Sequence, residues 1–187
     1  MEELIHLDQE LFLYLNNLGS QRWDGLWVFI SDKWMAIPLY AILLFLLFKT
    51  FGWKYSAITL IFIALLITCT DQMANAFKHG IERLRPCRQE GVMEYARIVA
   101  KRCGSYGFYS GHASNSMAIT FFLGLLFRKK YPKLLYLLIF WAIAVAYSRV
   151  YLGVHYPGDI IVGMFFGAFY GILWYYIHQF VMQKINL

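Results

Sequence analysis

Uncharged apolar stretches recur along the chain, and each is ended by a charge. Residues 35–48 stop at Lys49, and residues 55–70 are followed by Asp71. Residues 113–127 stop at Arg128-Lys129-Lys130, residues 134–148 at Arg149, and a last stretch runs from about 160 to 182. A helix needs about 20 apolar residues to cross a bilayer. Several stretches are shorter, so their helices are expected to run past the flanking charges, whose long side chains reach back to the interface. The stretches are continuous rather than alternating, which excludes a transmembrane β-barrel. The pattern predicts an all-α polytopic bundle of about five spans. A sixth, over 23–33, would be interrupted by Asp24, Asp32 and Lys33.

Residues 4–18 follow a different rule. Leu4, Leu7, Leu11, Tyr14, Leu15 and Leu18 fall on one helical face, and Asp8, Gln9, Asn16 and Asn17 fall largely elsewhere. That is an amphipathic helix, lying on the membrane or capping the bundle. Gly19-Ser20 ends it, and 23–31 reads as a second interfacial helix. The expected organisation is one membrane-embedded domain over 1–187, with interfacial helices in 1–33 and the bundle in 34–187. Its longest polar stretch, 78–111, lies between the second and third spans, and a loop of that length is usually functional.

Composition agrees with a bilayer as solvent. Of 187 residues, 60% are hydrophobic and 15% charged, against about 45–50% and about 25% in soluble domains. Mean hydropathy is +0.51. Aromatics such as Trp34, Trp53, Tyr55 and Tyr131 sit near the ends of the apolar stretches, as in an interfacial belt. The acidic start, Met1-Glu2-Glu3, lacks the basic region of a signal peptide, so insertion is expected to rest on the spans. The net charge of +6 suits anionic lipid or a phosphorylated substrate, and the membrane setting argues against nucleic acid. Cys69 lies in an apolar stretch, whereas Cys87 and Cys103 bracket the polar loop and are either bonded or free thiols.

Counting antiparallel spans brings the polar ends together. Lys78 and Arg85 follow the second span. Ser110, Gly111 and His112 open the third, Arg149 ends the fourth, and His155 and Asp159 precede the fifth. All fall on one membrane face. Three cations with a helix N-terminus at Ser110-Gly111 make a cradle for a phosphoryl group. The same charges oppose the negative charge of its transition state. Asp159, four residues after His155, can take the imidazole Nδ1–H and leave the other nitrogen free to attack. His112 is then a candidate general acid for the leaving oxygen.

The spacing of these residues is specific. Residues 78–86 read KHGIERLRP, 110–112 read SGH, and 148–159 read SRVYLGVHYPGD. This three-part pattern resembles the signature of the type-2 phosphatidic acid phosphatase superfamily, which also holds vanadium haloperoxidases and glucose-6-phosphatases. The resemblance implies a lipid phosphate phosphatase in which His155 forms a phosphohistidine, Asp159 orients it and His112 is the acid. Lys78, Arg85, Ser110, Gly111 and Arg149 would bind the phosphoryl group, and no cofactor or metal is expected. The family usually has proline where this chain has Tyr109. A tyrosine there would leave the loop more mobile or bring a hydroxyl to the substrate.

Other polar residues have plainer readings. His6, His79, His178 and Arg22 are expected to pack or to reach the interface. Arg83, Arg88, Arg97, Lys101 and Arg102 make the loop basic, solvated or weakly steering anionic headgroups. Asp71 shares a helix face with Asn75 and Lys78. Gly163, Gly167 and Gly171, spaced by four, suit close packing within the bundle better than dimerisation. Discounting the charges the site needs, the basic stretch 128–133 marks the cytoplasm. The site then faces the periplasm or outside of a bacterial inner membrane, where a Cys87–Cys103 bridge fits. The short chain resembles bacterial members acting on undecaprenyl diphosphate or phosphatidylglycerophosphate, with phosphatidic acid and lipid A phosphates as alternatives. A membrane anion transporter is the rival class, but the chain lacks the internal repeats such proteins usually carry.

Overall fold

The structure, a computed structural model, describes residues 2–186, which are helical with no strand. The helices are α1 (Glu2–Asn17), α2 (Gln21–Ser31), α3 (Ile37–Ile81), α4 (Gly111–Phe127), α5 (Leu134–Tyr151) and α6 (Pro157–Lys184). Short 3₁₀ turns occupy Lys33–Ala36 and Pro86–Arg88. Three segments, Trp34–Ile81, Leu134–Tyr151 and Pro157–Lys184, are long and apolar enough to cross a membrane.

α3 holds two of the apolar stretches. Its 45 residues would extend about 68 Å at 1.5 Å per residue, more than twice a bilayer core. Gly52 breaks it, with φ 77° and ψ 178°, a conformation open to glycine. The chain turns back there: Leu43 and Leu47 pack with Leu66 in one core, and Tyr40 faces the same cavity as Asp71 and Lys78. The second arm continues to Ile81, so Asp71, Asn75 and Lys78 share one helix, and Lys78 lies on it rather than just after it. Nothing between Asp71 and His79 breaks a helix, and polar residues such as Gln72 and Lys78 are good helix formers.

α4 is the axis of the bundle. It is apolar nearly all round, and its buried residues include Ala113, Met117, Ala118, Phe122 and Phe127. A helix of that kind belongs in an interior. α6 packs along it through the glycine stripe. A Cβ on Gly163 would lie 2.7 Å from the Ser110 carbonyl oxygen, and one on Gly171 2.5 Å from that of Ala118. Gly167 is pressed equally hard on Ser114. The outward residues of α5 and α6, such as Phe140, Phe165 and Phe180, are large, apolar and exposed, as a lipid-facing surface requires.

α1 and α2 pack over one end of this bundle. α2 has 11 residues, about 16 Å of helix, about half of a bilayer core. Its Trp27 stacks on Tyr151 and meets Tyr147 edge-on. α1 turns its apolar face outward: Leu4, Leu7, Leu11 and Tyr14 are exposed, as is Leu18 just after it. Its docked face carries Phe12 and Asn16, both fully buried. Asn16 Nδ2 donates to the carbonyls of Arg97, Val150 and Tyr151, and its Oδ1 accepts the Arg97 N–H at 2.6 Å. One amide thus satisfies carbonyls at the end of α5 and ties the loop to α1.

Helix contact at the stripe predicts opposite effects from one substitution. Gly167→Ala forces a methyl into the Ser114 backbone and is expected to cost about 1–3 kcal/mol. Gly25→Ala, on α2 with open space around it, is expected to stabilise by roughly 0.5–1 kcal/mol. Thermal unfolding in detergent checks the signs, and equal shifts of both variants would refute the packing argument.

Candidate active site

The sequence between α3 and α4 folds as a compact loop. Leu84 and Tyr106 form an antiparallel bridge, the Arg85 N–H donates to Ser105 O (3.1 Å), and the Gly107 N–H donates to Arg83 O (2.9 Å). Cys87 and Cys103 are disulfide-bonded across it, with Cα atoms 6.6 Å apart. Residues two apart on an extended segment share a side, so Arg83 and Arg85 both turn toward the N-terminus of α6.

The turn into α6 builds the histidine–aspartate pair. After α5 the chain reverses at Gly153, whose φ is 77°. Pro157 opens α6 in its first turn, where a missing N–H costs nothing. Asp159, in the same turn, accepts the Tyr156 N–H on Oδ2 at 3.0 Å. His155 Nδ1–H donates to the same oxygen at 3.3 Å. The acceptor-only carboxylate sets that tautomer and leaves Nε2 unprotonated. His155 is 2% exposed and Asp159 0%. Gly107 closes over them: a Cβ there would lie 3.1 Å from Asp159 Oδ2 and 3.6 Å from His155 Nδ1.

His155 faces a cavity of about 450 Å³ that Lys78, Arg85, Gly111, His112 and Arg149 also line. Six of the eight expected site residues therefore meet there. Arg85 Nε donates to Tyr106 O at 2.9 Å, which aims the guanidinium. Arg149 reaches it from α5, with Nη1 donating to Ser31 Oγ of α2. Lys78 Nζ lies beside Gly111, 3.8 Å from where a Cβ would be. His112, one residue into α4, is exposed to the cavity. The other two stand behind. Asp159 holds His155 from below. Ser110 is fully buried, caps α4 by accepting the Ala113 N–H (3.5 Å), and donates its own N–H to Asp159 O (3.1 Å). Ser110 thus lies behind the cavity lining, with its Oγ accepting at the helix end and its own O–H still a donor.

Further residues emerge. Arg83 is not solvated: Nη1 donates to Asp159 Oδ1 at 3.1 Å and Nη2 to Asp8 Oδ2 of α1 at 2.7 Å. Its i, i+2 relation to Arg85 was the one available signal. Arg97, also read as solvated or steering, pairs with Asp24 at 2.6 and 2.7 Å. Asp71 accepts from Asn115 at 2.8 Å and lines the cavity beside Lys78. Tyr109 is neither mobile nor at the cavity; it is fully buried and stacks on Phe166.

The arrangement sets the charge of the dyad. Burial pushes the His155 imidazole down to about 4, with Arg85 and Arg149 acting in the same sense and Asp159 opposing them. Burial also lowers Arg85, which nonetheless stays charged at neutral pH. A neutral imidazole with a free Nε2, facing three cations, can attack an anionic phosphorus centre.

This fold has a solved counterpart. The chain superposes with a TM-score of 0.72 at 20% identity on a crystal structure described as the first transmembrane PAP2 type phosphatidylglycerolphosphate phosphatase, from Bacillus subtilis, covering 99% of this chain and 89% of that one. The sequence profile of the PAP2 superfamily matches residues 56–183, and the chain belongs to that superfamily. Over its whole length it is 39% identical to a lipid A 4'-phosphatase of Bacteroides thetaiotaomicron, of which it covers 83%. It is 31% identical to a lipid A 4'-phosphatase of Porphyromonas gingivalis, over 98% of this chain and 78% of that one. The protein is therefore a membrane lipid phosphatase, a hydrolase of phosphate esters.

The titration of His155 gives a direct check. Because the buried imidazole resists protonation, its charge appears only as pH falls through about 4. Histidine ¹³Cε1 resonances in detergent are expected to include one titrating there and absent in His155→Ala. Arg85→Gln removes a cation and moves that titration upward. A His155 resonance near the ordinary value of about 6.5 would contradict this electrostatic account.

Proposed function

We propose that the protein removes a terminal phosphate from a lipid at the outer surface of a bacterial inner membrane, with lipid A 4'-phosphate as the best-supported substrate class. The observation that carries the chemistry is a buried His155–Asp159 pair opening onto a cavity lined by Lys78, Arg85 and Arg149. The substrate class is supported by two near-full-length relatives that share the same printed name. It moves ahead of undecaprenyl diphosphate and phosphatidylglycerophosphate, which the short chain alone had favoured.

The reaction runs in two displacements. His155 Nε2 attacks phosphorus, and the bond from phosphorus to the lipid oxygen breaks. His112 gives that oxygen its proton. Lys78, Arg85, Arg149 and the backbone N–H groups at Gly111 take up the charge on the phosphoryl oxygens. Water then loses a proton to His112 and attacks the phosphohistidine, the P–N bond breaks, and inorganic phosphate leaves. Asp159 keeps the Nδ1 proton in place throughout and balances the imidazolium character of the intermediate.

Five crossings by one domain fit this reading: the two arms of α3, then α4, α5 and α6. Phe51 meets Phe127, and Tyr55 meets His178, so the Gly52 turn and the basic stretch 128–133 share the end remote from the cavity. That end is assigned to the cytoplasm, and the disulfide then lies on the oxidising side.

The decisive assay is phosphate release from purified protein in detergent with excess EDTA. Its panel includes a lipid A 4'-phosphate, undecaprenyl diphosphate, phosphatidylglycerophosphate and phosphatidic acid. Wild type is expected to release phosphate, fastest from the lipid A substrate. His155→Ala is expected to release none, and His112→Ala to lose about 10²–10⁴ in rate. Full loss in chelator, or activity in His155→Ala, would reject the mechanism. A faster reaction with another lipid would replace the substrate alone. For orientation, an impermeant maleimide added to reduced intact cells stripped of their outer membrane is expected to label Cys87 and Cys103. Labelling from the cytoplasmic side alone would reverse the assignment.

A further inference from the structure

Behind the dyad runs a second, partly buried ion-pair chain that joins it to α1. Asp159 has two oxygens with different tasks. Oδ2 serves His155 and the Tyr156 N–H. Oδ1 receives Arg83 Nη1 at 3.1 Å. Arg83 spends its other terminal nitrogen on Asp8 at 2.7 Å, and its guanidinium lies 4.0 Å over the Tyr156 ring. Asp8 uses its remaining oxygen to accept the Gly158 N–H at 2.8 Å, in the first turn of α6. The Arg83 and Asp8 side chains are 19% and 15% exposed, so solvent screens them little. The nearby Phe12 of α1 packs edge-on against the same Tyr156 ring, 5.4 Å between centroids.

We propose that Arg83 and Asp8 are positioning residues for the phosphatase reaction: together they clamp the Asp159 carboxylate and the first turn of α6, so that the dyad is fully assembled only when α1 is docked. This rests on the reading of His155 as nucleophile.

The geometry supports a positioning role over simple packing. A planar guanidinium is needed to bridge two carboxylates on separate helices. Neither Arg83 nor Asp8 lines the cavity, so neither contributes to holding the phosphoryl group. Arg83 also divides the charge of Asp159: with Asp8 in place its own charge is balanced, and the carboxylate keeps its pull on the imidazolium. The charged and titratable groups around His155 are Asp159 of α6, Arg85 of the loop, Arg149 of α5, His112 of α4 and Lys78 of α3. Arg83 and Asp8 act on it through Asp159.

Removing the two partners therefore moves the dyad in opposite directions. Arg83→Gln takes a cation from Asp159, strengthens its pull, and raises the pH at which His155 titrates. Asp8→Asn still offers an amide oxygen to the Gly158 N–H but leaves Arg83 unbalanced, which lowers that pH. Both are expected to reduce kcat about ten- to hundredfold, the size typical of partners that orient a reacting group, with KM nearly unchanged. Arg83→Lys keeps a charge beside Asp159 without bridging to Asp8, and is expected to restore the His155 titration but only part of kcat.

The test is steady-state kinetics on the full chain in detergent, paired with the histidine resonance titration and thermal unfolding, with His155→Ala run alongside. Opposite titration shifts with loss of kcat sustain the clamp. Unchanged titration and kcat in the two variants overturn it, as does a rise in KM at constant kcat. Shifts of one common sign that track lost thermal stability overturn it too, by making the chain purely structural. If Arg83→Gln does not fold, Asp8→Asn and Arg83→Lys carry the same decision. Activity in His155→Ala would instead strike the nucleophile assignment, which keeps the two failures apart.

Discussion

Backbone-to-backbone contact between α4 and α6 sets the spacing on which the site depends. In a bilayer, apolar side chains gain little by leaving lipid for protein, so helices associate through close packing and internal hydrogen bonds. Three glycines on α6 let its backbone approach that of α4 at Ser110, Ser114 and Ala118. At the top of this contact the Ser110 N–H donates to Asp159 O. His112 begins one helix and His155 precedes the other, so their separation is inherited from the stripe. A side chain at Gly163 would part the two N-termini beside the cavity.

Electrostatics then sorts the charges around that frame. Three cations face one cavity, and like charges repel strongly where solvent is thin. The carboxylates around them are kept off the cavity or tied down: Asp159 is turned away beneath His155, Asp71 accepts from Asn115, and Asp32, at the cavity wall, accepts the Trp34 N–H. An acid free to swing onto Arg85 or Arg149 would satisfy the cations internally and compete with a phosphoryl group. Holding each carboxylate by an explicit hydrogen bond preserves the affinity of the cavity for an anion. Ser110 caps α4 by accepting the Ala113 N–H, which leaves the earlier N–H groups of the helix, at Gly111 and His112, available to an anion.

Much of this was legible in the chain. Unbroken apolar stretches ended by charges mark the helices, since the other fold that spans lipid, a closed barrel, needs alternating residues instead. The spacing of Lys78, Arg85, His112, Arg149, His155 and Asp159 announces a site because ionisable residues near a membrane are expensive and rarely idle. Less could be read where local signals conflict. The second arm of α3 carries Lys78 inside the helix rather than just after it, because helix propensity outweighs polarity there. Ser110 is a second case, because a serine before a helix serves equally as cap or ligand, and the chain alone does not separate the two uses.

The largest gap concerns α1, and its cause is general. In water the apolar face of an amphipathic helix docks and the polar face is solvated. Here Leu4, Leu7 and Leu11 face outward, whereas Asp8 and Asn16 face the protein. Next to lipid the apolar face already has a favourable medium, so the polar residues, which lipid solvates poorly, are the ones that seek partners. Polar residues thus hold the bundle together and perform its chemistry, and composition cannot separate the two uses. Asp8 and Arg83 resemble surface charges in sequence for this reason. Only the three-dimensional chain from α1 through Arg83 to Asp159 shows that the N-terminal helix and the His155–Asp159 pair share one set of hydrogen bonds.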